Sequence, residues 1–133
     1  MDGAHKYWTK SAELGDAVGH YQLGFVYMKG EGVEKDYEKA LYHNEMAAIG
    51  GHPGARHNLA AIEEELGNIK RAVKHAIIGA NLGYGDSMKA LWGYYSLGYI
   101  AKEELEAALR TNKAAIDATI SPERKIADKL LGL

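Results

Sequence analysis

Histidine is the first residue type in this chain that could do chemistry, because neutral imidazole binds metals and exchanges protons near neutral pH. The chain has 6 histidines. His43 and His75 stand 32 residues apart, and His52 and His57 are separated by 5. A helical metal site needs ligands on one face, as in a His pair at four-residue spacing, and neither that pair nor a His-Glu-x-x-His run occurs. Ordinary helix-borne histidines are the plainer reading, so no metal or other cofactor is expected. Gly30-Glu31-Gly32 lacks the Gly-Lys-Ser/Thr that completes a phosphate loop, and its glycines suit a chain reversal at positive φ. Ser11, Ser87, Ser96 and Ser121 sit in no Gly-x-Ser-x-Gly frame. Glu63-Glu64-Glu65 could supply an acid or base, but adjacent residues on a helix point in different directions. No catalytic constellation is present, and the expectation is a protein that is not an enzyme.

Composition narrows the classes further. The chain has 133 residues, which suits one domain. Lys plus Arg is 16 against 18 for Asp plus Glu, and no segment forms a basic arm, which argues against nucleic acid as a partner. Apolar residues at 47% and charged residues at 26% fit a folded domain rather than a disordered one. Apolar runs are too short to span a bilayer, and no secretory segment is apparent. Without cysteine there are no disulfides and no thiolate sites. A cytoplasmic setting is favoured on these grounds.

The 16 glycines recur at intervals instead of clustering. Ala4, Ala40, Ala72 and Ala108 are separated by 36, 32 and 36 residues. In the same frame, Gly15 precedes Gly19 and Leu23, Gly51 precedes Ala55 and Leu59, and Gly83 precedes Ser87 and Leu91. This is an internal repeat. The shorter interval has one cause: residues 29–36 form a long turn, whereas Leu66-Gly67-Asn68 passes straight into Ile69. Turns tolerate such length changes at small entropic cost.

Each unit predicts two helices, at 17–29 and 36–49, 53–66 and 68–81, and 86–97 and 102–117. A lone helix at 4–14 precedes them. Asp16, Asp36 and Asn68 are expected N-caps, and Pro53 suits a first helical turn. Tyr37, Ala40, Leu41, Ala47 and Ala48 recur with helical periodicity, and strict strand alternation is absent. Ser121-Pro122-Glu123 starts a further helix at 122–131, whose Ile126, Leu130 and Leu131 are expected to lie on the last repeat as a lid. The fold class is all-α: a right-handed α-solenoid of stacked helix pairs with a C-terminal capping helix. The expected units are a partial repeat at 4–14, repeats at 15–50, 51–82 and 83–117, and the cap at 121–133.

The run Lys10-Ser11-Ala12-Glu13-Leu14-Gly15-Asp16-Ala17 through Tyr21-Gln22-Leu23-Gly24, with Tyr27, Gly30-Glu31-Gly32-Val33, Asp36-Tyr37 and Lys39-Ala40, resembles the Sel1-like repeat. Gly51-His52-Pro53, Ala55 and Asn58-Leu59 continue it, and the frame extends over residues 4–117. That family is a tetratricopeptide relative with a longer inter-helix turn. The resemblance implies a scaffold or adaptor for protein–protein interaction, with a peptide or protein partner held by the first helices of the repeats. Carried over by frame, the groove residues are Tyr21, Phe25, Met28 and Lys29, then His57, Glu64 and Glu65, then Lys89. Tyr21, His57 and Lys89 share one frame position and would form a stripe across the groove. The alternative is a segment of a larger array whose ends make the contacts, including self-association through the partial N-terminal repeat.

One frame position stands apart. Glu63 occurs where Tyr27 and Tyr95 stand, so its side chain should either reach solvent or pair with Arg56, Arg71 or His75. The whole reading expects a far-ultraviolet circular dichroism spectrum dominated by helix, and a strand spectrum would refute it.

Overall fold

The structure, a computed structural model, describes residues 3–13, 15–119, 126 and 129–132. Among these there are seven helices and no strand: α1 Gly3–Glu13, α2 Ala17–Lys29, α3 Tyr37–Ile49, α4 Pro53–Glu65, α5 Ile69–Asn81, α6 Gly85–Ser96 and α7 Lys102–Ala118. Consecutive helices pack against one another, and α2 reaches α4 as α4 reaches α6. The first helices of the pairs thus form one layer and the second helices another.

Caps and glycines fix where the chain reverses. Asp16 accepts a hydrogen bond from Val18 N–H at 2.8 Å, and Asp36 accepts one from Lys39 N–H at 3.1 Å. Pro53 occupies the first turn of α4, where the preceding His52 Nδ1 accepts from Gly54 N–H at 3.2 Å. Asn68 does not cap α5 with its side chain. Its backbone (φ −91°, ψ 65°) departs from the extended form that aims a cap side chain at the next turn. Past α3, Gly51 adopts φ +86°, and the N–H groups of Gly51 and His52 donate to Ala48 and Ala47 carbonyls at 3.0 Å. Glycine adopts that backbone without a Cβ clash, so the turn satisfies the last carbonyls of α3 at little steric cost.

Small residues set the distance between one pair and the next. A Cβ on Gly19 would meet Ser11 at 2.7 Å, and one on Gly79 would run into Ser87. Ala47 and Ala55 hold the corresponding places in the middle unit, both fully buried. The core over the second and third pairs is correspondingly alanine-rich: Ala60, Ala72, Ala76, Ala80 and Ala108 surround Val73, Met88, Leu91, Tyr94, Ile100 and Leu105. Buried amides link the layers. Asn44 Nδ2 donates to Ala40 O at 2.9 Å, and Asn58 Nδ2 donates to Asn44 Oδ1 at 3.1 Å.

The expected lid is not found in the described part of the tail. Ile126, Leu130 and Leu131 are 61%, 82% and 73% exposed. The last pair closes its core without them, through Leu105, Ala108 and Asn112 of α7. Residues 121–125, 127, 128 and 133 of the proposed cap lie outside the described residues.

Glu63 also departs from expectation. It is buried, yet no Lys, Arg or His nitrogen lies within ion-pair distance of it; among the described residues only Lys102 and Glu106 form an ion pair, at 3.9 Å. Arg56 instead turns its Nη1 to His75 Nδ1 at 3.2 Å, and Arg71 is exposed. Glu63 Oε2 and Arg56 Nε are left without hydrogen-bond partners.

Stability should therefore depend on pH in a definite direction. Burial and then the Arg56 charge lower the His75 pKa below its ordinary 6.5, and burial lowers that of His52. The unfolded chain binds protons that these folded imidazoles resist, so their contribution is whole above about pH 6.5 and is lost as pH falls through the lowered folded values. The urea midpoint should decline below about pH 6.5, and His75→Gln should flatten that decline. A flat profile in the wild type would refute the assignment. At the core, an added methyl in Gly24→Ala would run into the Asn44 amide. Urea unfolding should show a loss of about 1–3 kcal/mol, as overpacking does.

Candidate partner-binding groove

The groove is built from equivalent positions of successive first helices. Met28 and Lys29 end α2, and Glu64 and Glu65 hold the same two frame positions at the end of α4. These four residues line a common cavity of about 310 Å³ with Lys35, Tyr37, Ala61 and Ile62. The turn after α2 brings Lys35 and Tyr37 to the cavity, and Ile62, fully buried, gives it an apolar wall.

Each charge has its own support. Tyr94 donates its hydroxyl to Glu64 Oε2 at 3.1 Å, from α6 to α4. Burial, and then the Glu64 charge and hydrogen bond, push the Tyr94 pKa up to about 12, so it remains a donor. Lys35 Nζ lies 4.8 Å from the centroid of the Tyr37 ring, and Lys29 Nζ lies 5.9 Å from that of Phe25. The Lys35 pKa is raised, chiefly by its polar interaction with Tyr37. Neither lysine closes an ion pair with Glu64 or Glu65. Cations and carboxylates therefore face one cavity without neutralising each other by contact.

The remaining residues of the expected groove are placed differently. Tyr21 stacks on His52 at a centroid separation of 4.0 Å and an angle of 15°, and its ring lies against Gly54. It thus packs one repeat onto the next. His57 and Lys89 are exposed and do not line the cavity. Lys35, Tyr37 and Tyr94 are not among the groove residues expected from the sequence. The first two arrive through the variable turn, and Tyr94 holds a frame position filled by the apolar Val26 and Ile62 in earlier units. Among the described residues no cluster of three or more His, Cys, Asp or Glu side chains is placed to hold a metal ion.

Comparisons with known proteins agree with this architecture. The Sel1 repeat model matches residues 2–16 and 17–52. Over 71 residues the chain is 42% identical to the ERAD-associated E3 ubiquitin-protein ligase component HRD3B of Arabidopsis thaliana, a match covering 53% of this chain and 11% of that protein. The crystal structure of a Sel1 repeat protein from Oxalobacter formigenes superposes with a TM-score of 0.68 at 28% identity, over 83% of this chain and 48% of that one. The chain thus spans about half of the solved relative and a small part of HRD3B. Residues 2–52 thus carry matched Sel1 repeats, and the helix-pair stack is similar to that of a solved Sel1 repeat protein.

Proposed function

We propose that the chain is a protein-interaction scaffold that holds a partner's peptide segment where the ends of α2 and α4 meet. Sel1 repeats are in general protein–protein interaction scaffolds, typically non-enzymatic. The observation that carries the finer reading is the cavity in which Lys29 and Lys35 stand opposite Glu64 and Glu65 around Met28 and Ile62. An apolar partner side chain would enter against Met28 and Ile62. An acidic neighbour would turn to the lysines and a basic one to the glutamates, which sets the peptide's direction. Phe25 extends this surface along α2, and His57 and Lys89 serve as outlying polar contacts on α4 and α6.

A non-enzymatic role is part of the same reading, as is the division into repeats at 15–50, 51–82 and 83–117. HRD3B, named as a component of a ubiquitin ligase, is consistent with a scaffold working inside a larger assembly. No described helix is long and apolar enough to cross a membrane. A second reading places contacts at the ends of the stack, by self-association or by a partner. It is favoured by exposed aromatics there: Tyr7 on α1, and Trp92 and Tyr99 on and beyond α6.

Affinity capture followed by titration of the captured partner tests the groove. Glu64→Lys and Lys29→Glu should each weaken binding by about tenfold or more, equivalent to about 1.4 kcal/mol. Tyr94→Phe frees Glu64 while keeping the ring, and should weaken binding less. Equal affinity for the wild type and both charge reversals would move the interface to the ends.

A further inference from the structure

A second cavity, of about 510 Å³, opens on the opposite layer, between the second helices α1 and α3 with α2 as its floor. Its working residues are Glu13, His20, Tyr27, Tyr42, His43 and Met46. Four of these carry rings. His20 and His43 meet Nδ1 to Nδ1 at 3.0 Å, a hydrogen bond that two neutral imidazoles of opposite tautomer make without adding charge. Tyr42 stands nearly perpendicular to both, at 6.1 Å from His20 and 5.0 Å from His43, and is 56% exposed at the mouth. Tyr27 is stacked on His43 at 5.9 Å. Among the described residues of the lining, Glu13 of α1 is the one Asp, Glu, Lys or Arg side chain.

The next unit repeats the geometry with different charge. Glu45, Ile49, Arg56 and His75 line a cavity of about 180 Å³, and they are the frame equivalents of Thr9, Glu13, His20 and His43. There an arginine replaces the ring of His20, so the cavity is smaller and already holds a cation. The first cavity has instead an aromatic wall and a carboxylate, and among the described residues of its lining there is no Lys or Arg. The chain's own lysines lie over several of its rings: Lys39 over Tyr27, itself in the lining of the first cavity, Lys35 over Tyr37 and Lys29 over Phe25, at 5.2, 4.8 and 5.9 Å. Among the described residues, Tyr42 has no such cation over it.

We infer that the α1–α3 cavity is a receptor for a cationic side chain of a protein partner, an arginine or a methylated lysine, held between Tyr42 and the imidazole pair with its charge toward Glu13. Ring quadrupoles and a nearby carboxylate favour an organic cation over a neutral group of the same shape. This site is separate from the groove between α2 and α4, and does not depend on what that groove binds.

Nuclear magnetic resonance titration of the full chain tests the assignment through the ring signals of Tyr42 and His43. The probes are short peptides carrying one arginine or one trimethyl-lysine, free choline, and the neutral tert-butyl isostere of choline. The peptides should produce saturable shifts, with the isostere binding about tenfold more weakly. Glu13→Gln should weaken peptide binding by about fivefold or more, and Tyr42→Ala should abolish it. Both side chains are exposed, and unchanged circular dichroism would show that the variants fold. Glu64→Lys should leave these titrations unaltered, which separates this site from the groove. Equal binding of isostere and peptide, or an unaffected Glu13→Gln, would overturn the proposal. Choline binding more tightly than either peptide would also overturn it, pointing to a free small molecule in place of a protein partner.

Discussion

The close approach between each second helix and the following first helix is the constraint on which the rest of the structure depends. Three pairs of small residues recur at that approach: Ser11 with Gly19, Ala47 with Ala55, and Gly79 with Ser87. Their identities change, but each pair leaves similar room, since a serine is matched by a glycine and an alanine by an alanine. At this separation even one methyl group has no space at Gly19 or Gly79. The interface has little large apolar surface to offer, so close packing of many atoms must hold the stack together. Buried Asn44 and Asn58 add directional bonds that a sheet of alanines would lack.

Once spacing is fixed by small residues, larger positions in the frame can vary without altering the scaffold. His20, Arg56 and Met88 are equivalent, as are His43, His75 and Thr111. The first two units build polar links from different chemistry at the same place: imidazole to imidazole at 3.0 Å, then guanidinium to imidazole at 3.2 Å. The Tyr27 position becomes Glu63 in the second unit, with one carboxyl oxygen unpartnered. Burying a polar group without a partner costs free energy, so this position carries a penalty that its aromatic equivalents do not. Repeats of one geometry can thus present cavities of different size and charge.

The helices and their order were legible because the signals are local. Asp16 and Asp36 cap, Pro53 starts a helix, and the glycines between units take positive φ. Asn68 shows the limit of that logic: residue type allows a cap, but the short turn holds its backbone in another conformation. The apolar spacing of Ile126, Leu130 and Leu131 suggested a face to be buried, but a period carries no information about what such a face meets, and these three side chains are exposed. Frame alignment grouped Met28, Lys29, Glu64 and Glu65, equivalent positions on successive helices, and these four line one cavity. It passed over Lys35, which belongs to the turn that the second unit shortens, and Tyr37, whose frame equivalent is Ile69; Tyr21 of the expected groove has its ring stacked on His52.

What keeps the groove's opposite charges apart is the same economy of local support. A flexible lysine beside a glutamate ordinarily gains little from closing a solvent-exposed pair, because side-chain entropy offsets the attraction. Here Lys35 and Lys29 have an alternative close to the backbone, the faces of Tyr37 and Phe25, and Glu64 has the hydroxyl of Tyr94. Those contacts restrain the side chains without neutralising them, since a ring quadrupole or a phenol hydroxyl leaves the net charge in place. On the proposed function, a partner would meet groups that have already lost part of their freedom, and less ordering entropy would oppose binding. The Tyr94 to Glu64 bond also joins α6 to α4, so the geometry of the groove at the second unit depends on the third being stacked in register. An isolated repeat could reproduce the residues of the cavity but not the orientation of that carboxylate.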